Sequence, residues 1–168
     1  MQVNPVLKPK VATPALIVTS AVTLALAVTL AAMTYTFPAV GWALAVIVAT
    51  GLLLSYFWYE RLRDYRVWKT SSRAQWARLE AMKHGAKTTT EITVLSVDSP
   101  QPTGAWITIR WNRFDYIQPA WIEALPEPIW PGSVLLIRPD PEQVRPGNPW
   151  PTTYSVAANH VLTWAPQL

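Results

Sequence analysis

The chain divides into a long apolar stretch, a helical basic stretch and an alternating stretch. No charged residue or histidine occurs in the 49 residues from Val11 to Tyr59. A bilayer core about 30 Å thick needs about 20 apolar residues per helical crossing, so the run is too long for one span and sufficient for two. Pro38, after the hydroxyls and aromatics of residues 34–37, marks a turn. The pattern predicts spans at about 12–33 and 40–58, a two-helix transmembrane hairpin within 11–59.

Residues 60–87 form a basic juxtamembrane connector with helical periodicity. Leu62, Tyr65, Trp76 and Leu79 belong to one series of three- and four-residue steps. The segment 72–75 has the form of a capping box, so we expect the second span to continue to about residue 69 and to break near 70–71. A second, amphipathic helix ending at Gly85 then lies either along the membrane or against the module that follows.

From residue 88 onward the period changes from helical to alternating. Proline- and glycine-rich turns separate the apolar runs, and this region holds twelve of the sixteen prolines. We predict strands at 88–98, 105–111, 116–124, 133–138 and 153–164, the last interrupted near 158–159. This spacing predicts that 88–168 is one small antiparallel β-barrel-like domain of the OB or SH3-like kind.

Charge sets the expected orientation. Lys8 and Lys10 lie in the N-terminal tail, residues 1–10, and the connector is strongly basic, whereas the loop between the spans is uncharged. The positive-inside rule therefore predicts a multi-pass protein of the inner or plasma membrane with both termini cytoplasmic. Anionic lipids are an expected partner of the connector. The candidate lipid-surface residues are Arg61, Arg63, Arg66, Lys69, Arg73 and Arg78.

The remaining composition argues against nucleic-acid binding, enzyme activity and metal or cofactor sites. The β domain carries four arginines against seven carboxylates, a net charge of −3, so we expect no nucleic-acid partner despite the sequence pI near 9.6. The chain has no cysteine, and its two histidines, His84 and His160, are far apart in sequence. We therefore expect no enzyme activity, catalytic residue, metal site, cofactor or small-molecule substrate.

Two groups of residues are candidates for contacts with a protein partner. Small residues at four-residue steps let helices approach closely, and they either close the hairpin on itself or pack it against a larger integral membrane subunit. Tryptophans held between prolines either anchor an interface or fold back over the small core. The connector adds one tryptophan on its apolar stripe. The candidates are Gly41, Ala45, Ala49, Gly51, Ser55, Trp76, Trp130 and Trp150.

The two-span hairpin, the basic connector and the small domain without cofactor ligands resemble the accessory subunits of bacterial respiratory assemblies. The likeness is to the cytochrome bc and cytochrome c oxidase supercomplexes of actinobacteria. It implies a non-catalytic accessory or assembly subunit of an electron-transport complex, acting through protein–protein contacts. The alternative is a stand-alone membrane-anchored OB-like module that oligomerises or binds a soluble partner or lipid.

Overall fold

The computed structural model describes residues 4–34, 36–37, 39, 41–86, 88–144 and 149–167. The chain forms two compact units. The helical unit comprises residues 8–69, and the β unit comprises residue 70 onward together with the segment that ends at Leu7. Each is described by itself below.

Two helices are long and apolar enough to cross a membrane: α1, Pro14–Thr34, and α2, Gly41–Gly85. The predicted break near 70–71 is wrong, because α2 continues through it as one 45-residue helix. Ser72 is mid-helix and only 2% exposed, so it is not a cap. Thr and Ser cost little in a helix interior, and tertiary packing of the following turns outweighs them. The boundary between the compact units nevertheless falls between Lys69 and Thr70.

Within the helical unit, α1 and α2 meet along one seam. Half-buried positions recur at three- and four-residue steps on both helices, which places them on one face of each helix. On α1 they include Leu16, Ser20, Thr23, Ala27 and Leu30, and on α2 they include Leu44, Ile47, Gly51, Leu54 and Trp58, with Ala43 and Thr50 beside them. The predicted turn falls partly outside the described residues, which omit Tyr35 and Pro38. Beside it, the Phe37 N–H donates to the Met33 carbonyl.

The described residues of the β unit form six strands, at positions close to those that alternation predicts. They are β1 Thr90–Gln101, β2 Gly104–Trp111, β3 Tyr116–Glu123, β4 Ser133–Ile137, β5 Tyr154–Val156 and β6 Val161–Pro166. Their order in the sheet is β5-β3-β2-β1-β4-β6. Four neighbouring pairs are antiparallel, as expected, but β3 and β5 are parallel, so the sheet is mixed.

The connection from β5 to β6 requires the sheet to curl. These two strands are the opposite edges of the sheet, about 24 Å apart if six strands lay flat. Val156 and Val161 are five residues apart, a reach of at most about 18 Å. The sheet therefore bends into a half-barrel, and the predicted interruption of the last strand is the short 3-10 turn Ala158–His160.

Two apolar cores hold the β unit together. One fills the inside of the curled sheet around Trp111, Ile109 and Tyr154. The other joins Leu79 of α2 to Val134 and to the remaining members Leu136 and Ala165. All five residues of β4 are buried, because alternate side chains enter the two cores. The sequence allowed the end of α2 to lie along the membrane or against the β module. In the structure it packs against the β module.

Candidate interaction surfaces

The small residues of α2 divide between its two faces. Gly41, Ala45 and Ala49 are exposed and lie off the seam with α1. Gly51 is half-buried on the seam, and Ser55, which is exposed, donates its hydroxyl back to the Gly51 carbonyl. Within the helical unit, the first line therefore does not close the hairpin on itself. It remains available to another helix.

Polar side chains reinforce the seam. Trp58 Nε1 donates to Ser20 Oγ at 3.1 Å, and Arg61 reaches Thr13 Oγ1 at 3.5 Å. A groove of about 270 Å³ follows the seam and includes Gly51 and Ser55 in its wall. The hydrogen bond gives the indole N–H of Trp58 an acceptor. An unpaired N–H in an apolar environment would be costly in free energy.

The predicted lipid-surface residues lie on α2 after its apolar part. All are exposed except the half-buried Arg61, which bonds across the seam. Arg63 forms ion pairs with Glu60 and Asp64, and the Lys69 ammonium lies 6.0 Å from the centre of the Tyr65 ring. The other three are Arg66, Arg73 and Arg78, and Arg78 lines a groove of about 350 Å³ beside β6.

Trp76 has a structural contact in the β unit. It packs against the core around Leu79, and its Nε1 donates to the Pro166 carbonyl at 2.9 Å. This hydrogen bond ties α2 to the end of β6. Lys83 extends the attachment with an ion pair of 2.7 Å to Glu91 at the start of β1, which raises the pKa of Lys83.

The proline-held tryptophans are half-buried. The Trp130 carbonyl accepts from the Ser133 N–H in the turn before β4. Trp150 lies 5.2 Å, centre to centre, from the buried Trp111 ring and 5.5 Å from the rings of Phe114 and Tyr116. Trp150 therefore covers the core on one side, as the second alternative expects, and lies against exposed rings on the other.

Sequence reasoning missed the residues that Trp150 supports. Phe114, Tyr116 and Ile117 are 55%, 41% and 54% exposed, and they lie at the turn between β2 and β3. The sequence did contain a hint of them: three large apolar residues stand in or next to a predicted turn, where small and polar residues are usual. It also missed Val6, which is buried in the β unit.

A group of hydrogen-bonded polar residues lies where the loop after β4 meets β5. The Asp140 N–H donates to Tyr154 Oη at 2.8 Å, and burial raises the pKa of this tyrosine. The Asp140 carboxylate accepts from the Gln143 amide at 2.8 Å and from the Glu142 N–H at 2.9 Å, which lower its pKa. The Gln143 amide also bonds both ways to the Ser155 backbone. These bonds fix the loop against β5.

The two histidines have different hydrogen-bond partners. His84 Nδ1 lies 2.7 Å from the Glu80 carbonyl, and the His160 carbonyl accepts from the Arg138 N–H. In the described part of the chain, no three His, Asp or Glu side chains are grouped so as to hold a metal ion.

Comparison with known proteins adds no family. No protein-family model, curated protein or solved structure matches the chain.

Proposed function

We propose that this chain is a non-catalytic accessory or assembly subunit of a multi-subunit membrane complex. Its two apolar helices hold it in the membrane, and its β unit contacts the complex on the cytoplasmic side. The observation that carries the proposal is the outward line Gly41, Ala45 and Ala49, which the pairing of α1 with α2 leaves uncovered. Small residues at this spacing allow a further helix to approach the backbone closely.

The proposed topology has independent support in the β unit. Val6 precedes α1 in sequence, and it is buried in the same compact unit as the six strands. Its Cγ1 lies 2.9 Å from the position that a Cβ at Gly132 would take. If α1 and α2 both span the bilayer, the N-terminal segment and the β unit therefore share one side. The basic residues flanking the spans favour the cytoplasmic side.

We propose a respiratory complex because of the architectural resemblance to the accessory subunits of cytochrome bc–oxidase supercomplexes. In that role the chain stabilises stoichiometry and assembly while the partner subunits hold the redox centres. The partners are larger integral membrane proteins, with anionic lipid at the basic part of α2, where each basic residue near the surface contributes about 1 kcal/mol.

The test is purification of the tagged full-length chain in mild detergent, followed by mass spectrometry and a visible absorbance spectrum. We expect integral membrane subunits in fixed ratio and a haem spectrum. Fixed-ratio subunits without haem would retain the accessory role and reject the respiratory assignment. Recovery of the chain alone, or only as a homo-oligomer, would reject the accessory role itself.

The second candidate function is a self-contained membrane-anchored OB-like module. Its support is the strand connectivity: β1, β2 and β3 form a meander, and β1 pairs with β4. The interrupted last strand, 154–166, pairs first with β3 in parallel and then with β4 antiparallel. Counted as one strand, it brings the total to five, the number of strands in a partly open OB barrel. Such a module would bind a soluble partner or lipid without a larger complex.

A further inference from the structure

The outer side of the sheet continues beyond the part that α2 covers. Leu79 of α2 packs against Val134 of β4 on that side. Val134 is paired with Thr93 of β1, which is paired in turn with Arg110 of β2, so these side chains share one face of the sheet. We give the name β2–β3 face to the three directly paired couples on the next two strands: Trp106 with Trp121, Thr108 with Pro119, and Arg110 with Ile117.

The β2–β3 face is largely apolar and exposed. Ile117 and Trp106 are 54% and 41% exposed, and Pro119 is also exposed. Alternation separates these side chains from the inner core, which takes Ile107 and Ala120 from the same two strands. Contiguous exposed apolar residues on one face are typical of an interaction site.

The two tryptophans of the face are held in place. The Trp106 and Trp121 rings meet edge to face, with their centres 5.2 Å apart. The Trp121 ring also lies against the backbone of Gly104, because its Cζ2 is 2.7 Å from the position that a Cβ at residue 104 would take. Rings fixed in this way lose little conformational entropy when a partner binds.

Two opposite charges lie on or beside the β2–β3 face. The exposed Asp98 of β1 accepts hydrogen bonds from Ser96 Oγ at 2.7 Å and from Thr108 Oγ1 at 3.2 Å, so its carboxylate reaches the face. Arg110 follows Thr108 by two residues on β2. Among the described residues, neither Asp98 nor Arg110 forms an ion pair. A partner surface with an arginine and a carboxylate at the same separation would complement both.

We propose that the β2–β3 face binds the same face of a second copy of this chain. In a twofold symmetric contact each pair of residues meets twice. With the axis between Arg110 and Asp98, the Arg110 side chain of each copy lies over Asp98 and Trp106 of the other, where it gains an ion pair and a cation–π contact. Ile117 of each copy is covered by the apolar residues on β3 of the other.

A second copy fits both charges, whereas simpler partners fit only one. An anionic membrane surface would attract Arg110 and repel Asp98. Three strands at a spacing of about 4.8 Å make a face smaller than the standard interface of about 800 Å² per partner. We therefore expect the dimer where a shared membrane concentrates the copies. The inference goes beyond the proposed function, from which it takes only the membrane anchor, because the contact needs no other subunit.

Thiol crosslinking in native membranes tests the contact. The chain has no cysteine, so each introduced thiol is unique. Two differently tagged full-length copies each carry Pro119→Cys, at an exposed position beside the expected axis, and are treated with a short bismaleimide. We expect a crosslinked dimer that contains both tags. Asn159→Cys, at an exposed position between β5 and β6, is the control and should give less than a tenth of that yield.

Exchange of the two charges makes the test specific. Arg110→Asp in both copies, or Asp98→Arg in both copies, brings like charges together and should lower the yield at least tenfold. One copy of each variant restores two pairs of opposite charge, so the mixed pair should crosslink as the parent does. This rescue also shows that both variants fold. Arg138→Asp, the same change at another exposed arginine, should leave the yield unchanged.

Three results would overturn the inference: equal yield from Pro119→Cys and Asn159→Cys, crosslinks to another protein in place of the dimer, or a mixed pair that crosslinks no better than either variant alone. The proposed function is judged separately, by detergent co-purification. Membrane subunits in fixed ratio without the crosslinked dimer would retain the accessory role and reject the docking inference. A charge-dependent dimer without other subunits would do the reverse.

Discussion

Val6 occupies the space that a side chain at Gly132 would need. Its Cγ1 is 2.9 Å from the Cβ position of residue 132, and Gly132 has φ +85°, a conformation that L side chains rarely adopt. The Val6 N–H is bonded at 2.9 Å to the Asn4 side-chain oxygen, so a short N-terminal turn presents the valine. A segment before the first helix is thereby part of the packing of the β unit.

Gly132→Ala should destabilise the β unit. The left-handed backbone alone costs about 1–3 kcal/mol for a residue with a Cβ, and the overlap with Val6 adds to it. Thermal unfolding in detergent, followed by near-ultraviolet circular dichroism of the tryptophans, measures the loss. Gly85→Ala is the matched control, because nothing lies within 4 Å of its Cβ position. Because Val6 is itself buried, the effect of Gly132→Ala is also measured in a Val6→Ala background, where only the cost of the backbone conformation should remain. Equal stability of Gly132→Ala and Gly85→Ala would contradict the packing.

Trp76→Phe should weaken the attachment of α2 to β6. The change keeps an aromatic ring against Leu79 and removes the donor to the Pro166 carbonyl. Pro166 is buried, so its unpaired carbonyl should cost about 1–3 kcal/mol in the free energy of unfolding. Chemical denaturation gives this value. Trp42→Phe, at a position 74% exposed in the helical unit, should not change the unfolding of the β unit. A Trp76→Phe variant as stable as the parent would remove the structural role of this bond.

Tyr154→Phe should lower the stability of the β unit at pH 7 and weaken the dependence of that stability on alkaline pH. At pH 7 the Asp140 N–H loses its acceptor, at a cost of about 1 kcal/mol or more. Burial raises the pKa of Tyr154 above the unfolded value of 10.0, so the unfolded state ionises first. The stabilising contribution is complete below about pH 10 and is lost as pH rises through the folded pKa.

The unfolding midpoint at pH 7, 9.5 and 11 tests this linkage. The parent should lose stability between the last two values, and Tyr154→Phe should lose less. Tyr116→Phe, at an exposed tyrosine, should retain the full alkaline loss. A parallel pH dependence in the parent and in Tyr154→Phe would rule out Tyr154 as the group responsible.

Ala45→Phe should separate the chain from the membrane subunit that we propose as its partner. Ala45 is exposed on the line with Gly41 and Ala49, so the larger ring blocks close helix approach without disturbing the seam with α1. We expect at least a tenfold fall in co-purified membrane subunits, equivalent to about 1.4 kcal/mol. Ala25→Phe makes the same change on the exposed face of α1 and should keep the partner. Equal effects of the two variants would mean that the Ala45 line is not the specific contact.

The pattern of the sequence predicted the elements well because each element carries its period locally. The charge-free run gives two helices, and alternation gives strands near the observed bounds, including the interruption at 158–160. The break near 70–71 was wrong because capping chemistry is a local signal. The attachment of Trp76 and Leu79 to residues some 55 to 90 positions away decides that the helix continues.

The interaction surfaces were predictable only in part. Helical spacing places Gly41 and Ala45 on one line, but only the tertiary structure decides which line faces α1. Flanking prolines mark Trp150, but its contacts with Phe114 and Tyr116 bring together residues more than thirty positions apart.

The sequence by itself therefore determined the division into apolar helices and a β module, because hydrophobic length and period are properties of neighbouring residues. Only the tertiary structure decided three other features: the parallel pairing of β3 with β5, the burial of Val6 against Gly132, and the exposure of Phe114 over Trp150. Each depends on contacts between segments that are far apart in the chain. The hydrophobic periodicity of a single segment does not specify which distant segment packs against it.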